Sequence, residues 1–434
     1  MNEKLNVLHF PTRYFPAISG AEFYFQRLSE ILNEKIDVSI DVFCSNALDF
    51  SALKQPEGKR VVPKNKYFNQ VNGLKIKRFP IDYNLSIEEQ IDLIENTKGY
   101  VSLNLSREVL RNIIKNGPNI CEVIANYEKN MEKRYDLIHT TYIPYLNVLL
   151  SLILGKTWDI PTICTPFFHF TNPRYQNSYY TEILKKFDLV LCCTSLEKQY
   201  LINEGIESEK ICIVPMGIDL EIYENTQTIN FKEQYFGKAK QNLPMLLFCG
   251  YKNYEKGALS LLRAIPHLTK KDKNLLFTFI GPSTEAFNIE LGKIKKKNKA
   301  VNIINLSPSN LSGYYDKKKI SAFKECEIYV MPSRSDAFGI AFLEAWAFKK
   351  PVIGANIGAT PEIVNDGKNG LLVQFDSTRD ICNKINYLLE NKERAKLMGS
   401  SGYEKIKEKN YYWQSISKKI FKIYNSIIET NNSN

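Results

Sequence analysis

Short apolar runs alternate with longer stretches of helical spacing along most of this chain. Runs that are apolar on both faces predict two sets of strands. The first set is Leu5–Phe10, Ile36–Cys44, Leu74–Phe79, Asp136–Thr140, Thr162–Pro166, Leu189–Cys193 and Ile211–Val214, and the second is Met245–Cys249, Leu275–Ile280, Val301–Asn305, Ile328–Met331, Val352–Gly354 and Leu371–Val373. Strands of this kind that alternate with helices are typical of parallel sheets covered on both faces. The pattern therefore predicts an α/β protein with two doubly wound sheets.

A break in the alternation sets the expected domain boundary. The mixed, polar stretch Leu220–Leu243 predicts an interdomain linker, so we place one domain at residues 1–219 and a second at residues 220–410. The final segment, residues 411–430, carries apolar residues at helical spacing and predicts a long amphipathic helix.

Length and composition agree with two globular domains. The chain has 434 residues, of which 44% are hydrophobic and 24% are charged, a globular rather than a disordered balance. Its longest apolar run, residues 143–155, falls short of the roughly 20 residues that a membrane-spanning helix needs. Met1–Lys4 leads into a strand without a signal-peptide pattern. The nine cysteines form no CxxC motif or Cys/His cluster, which predicts neither disulfides nor zinc. We expect a cytoplasmic protein.

The net charge of +11 admits two interpretations. It is typical of a generally basic, solvated surface, and it also favours attraction to anionic phosphates or lipid headgroups. We expect peripheral contact with an anionic membrane at most, at its inner face, and no nucleic-acid partner. The lysine-rich run Lys293–Lys299 is expected to be an exposed loop.

The most informative stretch runs from Pro332 to Phe348 and reads PSRSDAFGIAFLEAWAF. From Gly339 onwards it is apolar all round except for Glu344, which predicts a buried helix. A lone carboxylate on such a helix is costly unless it is paired or hydrogen-bonded. Either a distant Arg, Lys or backbone group satisfies Glu344, or it accepts hydrogen bonds from the hydroxyls of a ligand.

This stretch resembles the signature of glycosyltransferase family 4, whose members are retaining nucleotide-sugar transferases of the GT-B fold. In that family a Glu-x7-Glu pair brackets a Phe-Gly. The resemblance implies that Glu344 contacts the nucleotide ribose and that Asp336 contacts the donor sugar. Phe338, Gly339 and Ile340 would also contact the donor. Asp336 is one methylene shorter than the commoner Glu, which bears on the sugar preference. The implied architecture is two Rossmann-like domains facing across a cleft.

A second motif, Gly250–Gly257, looks like the family's phosphate-binding turn, Gly-Arg-x-x-x-x-Lys-Gly. The resemblance implies that Lys256 neutralises the donor diphosphate; the alternative, an exposed lysine near the start of a helix, is disfavoured by the downstream helix and the flanking glycines. Tyr251 occupies the arginine position of the motif, and we expect Lys252 to replace part of the missing charge. The turn lacks the Gly-Lys-Ser/Thr ending of a P-loop.

Further candidates also follow predicted strands, where ligands of open parallel sheets bind. Ser19–Glu22 looks like the family's Gly-Gly-x-Glu turn, and Gly20 would let the backbone approach a phosphate or a sugar. Gly217 is expected to contact the donor. His169 matches a histidine that lies near the transferred sugar in the family. His139 is a further histidine at a strand end.

The remaining implications of the resemblance concern partners. Residues 46–134, with predicted helices at Ile87–Glu95 and Ser106–Tyr127, would shape an acceptor pocket. The acceptor would be a glycan, a lipid-linked sugar or a small molecule. Residues 411–430 would pack back on the first domain, whereas a helix that caps the second domain is the alternative.

The expected reaction is transfer of a sugar from a nucleotide-diphosphate-sugar to an acceptor hydroxyl with retention. The nucleotide-sugar is a co-substrate and no cofactor is expected. No Asp-x-Asp occurs, which disfavours the metal-dependent GT-A design and predicts no metal site. Two alternatives stay open: a nucleotide-sugar-binding protein that has lost turnover, and a phosphorylase or epimerase of the same fold. A Rossmann dehydrogenase is disfavoured because no Gly-x-Gly-x-x-Gly follows the first strand.

Overall fold

The computed structural model describes residues 4–36, 38–62, 68–127 and 135–433, and the chain divides into two units. Unit 1 comprises residues 1–168, 173–215 and 413–434, and unit 2 comprises residues 169–172 and 216–412. Three of our predictions fall partly outside the described residues. They are the absence of a signal peptide (residues 1–3), the second strand (residue 37) and the stretch 46–134 (residues 63–67 and 128–134).

The sheet of unit 1 has eight strands in the order β3-β4-β2-β1-β5-β6-β7-β8. The strands are β1 (Asn6–Pro11), β2 (Ser39–Ser45), β3 (Phe68–Val71), β4 (Leu74–Phe79), β5 (Leu137–Thr141), β6 (Thr162–Thr165), β7 (Leu189–Cys192) and β8 (Ile211–Ile213). All pairings are parallel except that of β3 with β4. The strand order reverses between β1 and β5, which makes this position the switch point of the sheet.

The sheet of unit 2 has six strands, all parallel, in the order β11-β10-β9-β12-β13-β14. The strands are β9 (Met245–Cys249), β10 (Leu276–Ile280), β11 (Asn302–Leu306), β12 (Ile328–Met331), β13 (Val352–Ala355) and β14 (Leu371–Val373). The order reverses between β9 and β12. The loops that follow these two strands therefore lie side by side at the switch point of unit 2.

Helices connect and cover the strands. They are α1 (Gly20–Lys35), α2 (Ile87–Glu95), α3 (Lys98–Leu103), α4 (Arg107–Ile114), α5 (Glu122–Tyr127), α6 (Leu146–Trp158), α7 (Ser178–Leu184), α8 (Ser195–Asn203), α9 (Leu220–Asn225), α10 (Phe231–Phe236), α11 (Ala258–Lys271), α12 (Glu285–Lys297), α13 (Lys317–Glu325), α14 (Ile340–Ala347), α15 (Thr360–Ile363), α16 (Thr378–Glu390), α17 (Lys392–Glu408) and α18 (Trp413–Ser433). The helix α18 belongs to unit 1, where it packs against α1. The prediction of two parallel α/β sheets is confirmed.

The apolar run of residues 143–155 is explained by the burial of α6. Most of its side chains are inaccessible to solvent, and its interior position accounts for its apolar character all round. No helix among the described residues has the length and apolar character needed to cross a membrane.

Three local features differ from the predictions. The helical stretch expected around Ser106–Tyr127 consists of two helices, α4 and α5, with Pro118 in the segment that separates them. The lysine-rich run is not a loop throughout, because Lys293–Lys297 form the end of α12, although the four lysine side chains in this range are exposed and Ile294 is buried. The strand β3 was not predicted at all. It forms a hairpin with β4 through Asn72 and Gly73, whose φ angles are 50° and 79°, and this Asn-Gly pair is a strong hairpin signal.

Candidate functional site

Two loops meet at the switch point of unit 2. The first joins β9 to α11 and contains the Gly250–Gly257 turn, and the second joins β12 to α14 and contains Asp336. Gly257 has φ +75°, and a β-carbon at this position would lie 2.2 Å from the carbonyl oxygen of Pro332. Only glycine allows this backbone conformation and this close approach without strain. The sequence thus brings the two predicted motifs into direct contact.

Lys256 and Asp336 form an ion pair across these loops. The Lys256 Nζ lies 2.8 Å from Oδ2 of Asp336 and donates a second hydrogen bond to the carbonyl oxygen of Ser335 at 3.1 Å. Burial raises the pKa of Asp336, but the Lys256 ammonium, together with His169 and the backbone amide of Phe338, outweighs this effect, so the net pKa lies below its ordinary value. Both side chains keep some exposure, 21% and 16%, so a ligand can reach the pair.

His169 joins the same place from the short segment His169–Asn172, which belongs to unit 2. Its Nδ1 lies 2.9 Å from the hydroxyl of Ser335, the residue before Asp336. Thr171 donates a hydrogen bond to the carbonyl oxygen of Arg334 at 2.8 Å. The structure therefore brings His169, Lys256 and Asp336 together, as the three residues predicted to act on the donor.

Glu344 has protein partners and is 1% exposed. Its Oε1 accepts a hydrogen bond from the hydroxyl of Tyr223 at 2.5 Å and pairs with the Lys319 ammonium at 2.7 Å. The Lys319 ammonium also lies 3.4 Å from the centroid of the Tyr314 ring, in a cation–π contact. Of the two alternatives left open, the structure shows a distant lysine that satisfies the carboxylate. A contact with a ligand hydroxyl would add to these bonds or replace one of them.

Lys252 points into the interior of unit 2. Its ammonium donates hydrogen bonds to Oδ1 of Asn305 at 2.5 Å and to the carbonyl oxygen of Leu306 at 2.8 Å, and the residue is fully buried. Burial lowers its pKa to about 7. The expectation that Lys252 replaces a missing arginine charge at the turn's surface has no support in this placement. Tyr251, the residue in the arginine position, is partly buried in the same turn.

The other predicted donor residues of unit 2 have different surroundings. Phe338 is 1% exposed and packs edge-on against the Tyr411 ring, so it stabilises the fold. Gly339 has φ +88° and precedes α14, while Ile340 begins that helix and is partly exposed. Gly217 lies where the chain enters unit 2, beside Ile218. Phe338, Gly339 and Ile340 lie on the loop and helix start that follow Asp336, whereas Gly217 lies elsewhere in the sequence.

Unit 1 holds the remaining candidates. Gly20 begins α1, and a β-carbon there would meet no atom within 4 Å, so the protein itself leaves open space at this position. Glu22 forms a buried ion pair with Arg13 at 2.7 Å. His139 lies in the core, where its Nδ1 is 2.6 Å from the hydroxyl of Tyr424 and its Nε2 is 2.8 Å from that of Thr165. Burial lowers its pKa to about 3, consistent with a structural role.

Sequence reasoning missed several residues of this site, including Lys319, Tyr223 and Arg334. A signal existed for Lys319, because Lys319, Phe323 and Cys326 follow the helical spacing of one buried face. That spacing distinguishes Lys319 from the neighbouring Lys317 and Lys318. No comparable pattern singled out Tyr223 or Arg334.

Two protein-family models match parts of this chain. Residues 230–405 match the model described as Glycosyl transferases group 1, and residues 104–222 match the model described as Glycosyltransferase Family 4. A protein of Methanocaldococcus jannaschii named as an uncharacterized glycosyltransferase is 29% identical over 73% of this chain and 80% of its own length. A D-inositol 3-phosphate glycosyltransferase of Paenarthrobacter aurescens is 23% identical over 62% of this chain and 68% of its own.

Solved structures resemble the whole chain in fold. Sucrose-phosphate synthase from Thermosynechococcus elongatus has a TM-score of 0.71 at 16% identity, covering 98% of this chain and 100% of its own. Anabaena HepE in complex with UDP-glucose has a TM-score of 0.69 at 14% identity, covering 97% of this chain and 100% of its own.

Proposed function

The chain belongs to the group 1 glycosyltransferases of the family 4 type and has their GT-B fold, and from this premise we propose its reaction. It transfers a sugar from a nucleotide-diphosphate-sugar to an acceptor hydroxyl, with retention of anomeric configuration. The observation that carries this proposal is the 2.8 Å ion pair between Lys256 and Asp336 at the switch point of unit 2.

Lys256 supplies positive charge to the leaving group. As the bond between the anomeric carbon and the diphosphate oxygen breaks, negative charge develops on the diphosphate. An ammonium already fixed at this position stabilises that charge without reorganising in the transition state. We propose that Lys256 acts here in place of a metal ion, in keeping with the absence of an Asp-x-Asp motif from the sequence.

Asp336 and His169 orient the sugar. The carboxylate of Asp336 accepts hydrogen bonds from sugar hydroxyls. The imidazole of His169 bonds the hydroxyl of Ser335, and the carbonyl oxygen of the same residue accepts a hydrogen bond from Lys256. The acceptor oxygen attacks the anomeric carbon on the face that the diphosphate leaves. The acceptor's proton passes to the departing diphosphate oxygen, so no carboxylate nucleophile is required. The enzyme's contribution is positioning and charge stabilisation.

A direct assay tests the proposal. The protein is incubated with a panel of nucleotide-sugars, and release of nucleoside diphosphate is measured with and without candidate acceptors. UDP-glucose and D-inositol 3-phosphate are included because a structural neighbour and a relative carry them in their names. We expect acceptor-dependent release, and an axial or equatorial linkage in the product that matches the donor when measured by NMR.

The alternatives give different results in the same assay. Binding of a nucleotide-sugar without release in the presence of every acceptor would indicate a protein that has lost turnover. Inversion at the anomeric carbon would contradict the proposed stereochemistry. Release that needs a divalent cation would contradict the role given to Lys256.

Contact with an anionic membrane is a separate proposal that rests on the net charge of +11. Such contact should fall steeply as salt rises, because exposed charges are screened beyond about 10 Å at 0.1 M ionic strength. Sedimentation with anionic vesicles at low and high salt measures it, and retention at high salt would point to an apolar anchor instead.

A further inference from the structure

A second ion pair lies beside that of Lys256 and Asp336 and joins the same two loops. The guanidinium of Arg334 donates from Nε to Oε2 of Glu255 at 2.9 Å, and its Nη2 forms a second bond to Oε1. Two parallel bonds from a planar guanidinium fix orientation as well as distance. The side chains are 24% and 27% exposed, so they are largely withdrawn from the screening that weakens surface pairs.

The backbone reinforces this link. The amide of Arg334 donates to the carbonyl oxygen of Glu255 at 2.8 Å, and the hydroxyl of Ser333 donates to the same oxygen at 3.2 Å. Glu255 therefore receives bonds on its carbonyl and on its carboxylate from one short segment. The absence of a side chain at Gly257 is what permits this contact, since a β-carbon there would clash with Pro332.

Aromatic rings limit how far the guanidinium can move. The Arg334 guanidinium carbon lies 5.6 Å from the centroids of both the Tyr254 and Phe375 rings, within cation–π range. These two rings pack edge-to-face at 5.2 Å, and the hydroxyl of Tyr254 donates to Asp376 at 3.1 Å. The arginine is thus held by a carboxylate and flanked by two rings that are themselves anchored.

We propose that Arg334 and Glu255 are positioning residues that set the distance and angle between Lys256 and Asp336, an inference that rests on the proposed function. Glu255 immediately precedes Lys256, and Arg334 lies two residues before Asp336. Any shift of one loop against the other therefore moves the two groups that handle the donor. The side chains of Arg334 and Glu255 make no hydrogen bond to the side chain of Lys256 or Asp336, so their effect passes through the backbone.

The backbone around Arg334 also contacts the segment that contains His169, the third residue of the proposed site. The carbonyl oxygen of Arg334 accepts a hydrogen bond from Thr171, and the next residue, Ser335, bonds to His169. Displacing the backbone at Arg334 would consequently disturb His169 as well. Catalysis that depends on positioning is sensitive to such shifts, since a misplacement of about 1 Å costs on the order of a hundredfold in rate.

The test uses Arg334→Lys, which keeps the charge but removes the planar fork. We expect kcat to fall at least tenfold while the KM for the nucleotide-sugar changes less than threefold, with a small change in Tm. The exchanged variant Glu255→Arg/Arg334→Glu, which restores an ion pair in reverse, should recover kcat above either single variant. If Arg334→Lys keeps kcat within twofold of the parent, the inference is overturned.

Arg111→Lys is the matched control. The Nε of Arg111 donates to Oε1 of Glu88 at 3.0 Å and its Nη2 donates to Oε2 at 3.0 Å, so it is also a bidentate arginine, but it lies on α4 in unit 1. Its replacement should leave kcat and KM unchanged. An equal loss of kcat in both variants would show a general effect on the fold and would also overturn the inference.

Failure of the proposed function would give a different result. If the parent releases nucleoside diphosphate from no nucleotide-sugar, the proposed reaction fails, and the positioning pair is then judged by amide hydrogen exchange. The Arg334 amide, which donates to Glu255, should exchange at least tenfold faster in Arg334→Met than in the parent. Unchanged exchange there would show that the side-chain pair does not hold the loops together.

Discussion

The ammonium of Lys319 lies 2.7 Å from Oε1 of Glu344, and the two side chains form an ion pair that is almost inaccessible to water. The hydroxyl of Tyr223 bonds the same oxygen. A carboxylate that would be costly on an apolar helix is thereby neutralised from α13 and hydrogen-bonded from α9. The pair links α13 to α14, and Tyr223 adds α9 to them, so these charges matter for folding as well as for any ligand.

Removing one charge of this pair should destabilise unit 2. In Lys319→Met, the Glu344 carboxylate is left buried and unpaired, and the free energy of unfolding should fall by about 3 kcal/mol. Urea denaturation measures the loss. The double variant Lys319→Met/Glu344→Leu removes both charges and should recover most of it, and a double variant as unstable as the single would show that the charges are not the cause.

Replacing Glu344 by Gln should weaken nucleoside diphosphate binding, and it should also lower the stability of unit 2 because the buried Lys319 ammonium loses its carboxylate partner. Gln keeps an acceptor for Tyr223 but loses the charge that a ribose hydroxyl would bond, a loss of roughly 1.5–3 kcal/mol or at least tenfold in Kd. Calorimetry with a nucleoside diphosphate and its 2′,3′-dideoxy analogue tests this, because the analogue should bind parent and variant equally. If the variant binds the ordinary nucleotide as tightly as the parent does, Glu344 has no role with the ribose.

Lys256→Ala and Asp336→Asn should distinguish a residue that acts on the diphosphate from a residue that acts on the sugar. Lys256→Ala should reduce turnover about a hundredfold and also weaken nucleoside diphosphate binding, because it removes the charge placed for the leaving group. Asp336→Asn should lower turnover similarly while it spares binding of the sugar-free nucleotide. Lys271→Ala, at an exposed ion pair with Glu390, is the control. A stable and fully active Asp336→Asn enzyme would reduce Asp336 to a structural residue.

Lys252→Met should leave nucleoside diphosphate affinity unchanged, in contrast to Lys256→Ala. The pKa of Lys252 is about 7 in the folded protein and roughly 10.4 in the unfolded chain. The unfolded chain therefore binds more protons between these values, so parent stability rises with pH across this interval. Removing the lysine should flatten that rise when unfolding midpoints are compared at pH 7 and 9. Weaker nucleotide binding by Lys252→Met would instead indicate that Lys252 takes part in binding the donor.

Acid should destabilise unit 1 through its buried histidines. Burial lowers the pKa of His139 to about 3 and holds that of His9 well below its usual value. Such groups stabilise fully above roughly pH 6.5 and lose about 1.4 kcal/mol per histidine for each pH unit below it. The slope of unfolding free energy between pH 6.5 and 5 should therefore be shallower in His139→Gln. His267→Gln, at an exposed position, should keep the parent's slope.

The strands could be predicted because a strand that is buried on both sheet faces appears in the sequence as a short, continuous apolar run. The predicted bounds of β4, β9, β12 and β14 agree with the structure residue for residue. The helix error at Ser106–Tyr127 has a local cause as well, since apolar spacing continued through Pro118 although the helix does not. Strands and helices that are determined by their local sequence could therefore be predicted from the sequence alone.

The partners of the site residues could not be read in this way. Lys252 and Lys256 are four residues apart in one turn, yet one bonds interior carbonyl and amide oxygens and the other bonds Asp336. Which lysine faces inward depends on where β11 places Asn305 and Leu306, a fact of tertiary packing. Likewise, Glu344 indicated that a partner was needed, but it did not indicate that the partner was Lys319.

The route of the chain through unit 2 has a consequence for modularity. The chain enters this unit at Met216 and leaves it at Tyr412, and Ile218 pairs with Tyr412 in a parallel bridge, with its amide bonded to the carbonyl of Tyr411. Apart from residues 169–172, unit 2 is thus one continuous segment whose two ends lie side by side and are hydrogen-bonded to each other. Loop-closure entropy penalises an insertion only weakly when its ends already meet. We therefore expect unit 2 to tolerate replacement by the corresponding unit of another glycosyltransferase with little change in the path of the remaining chain.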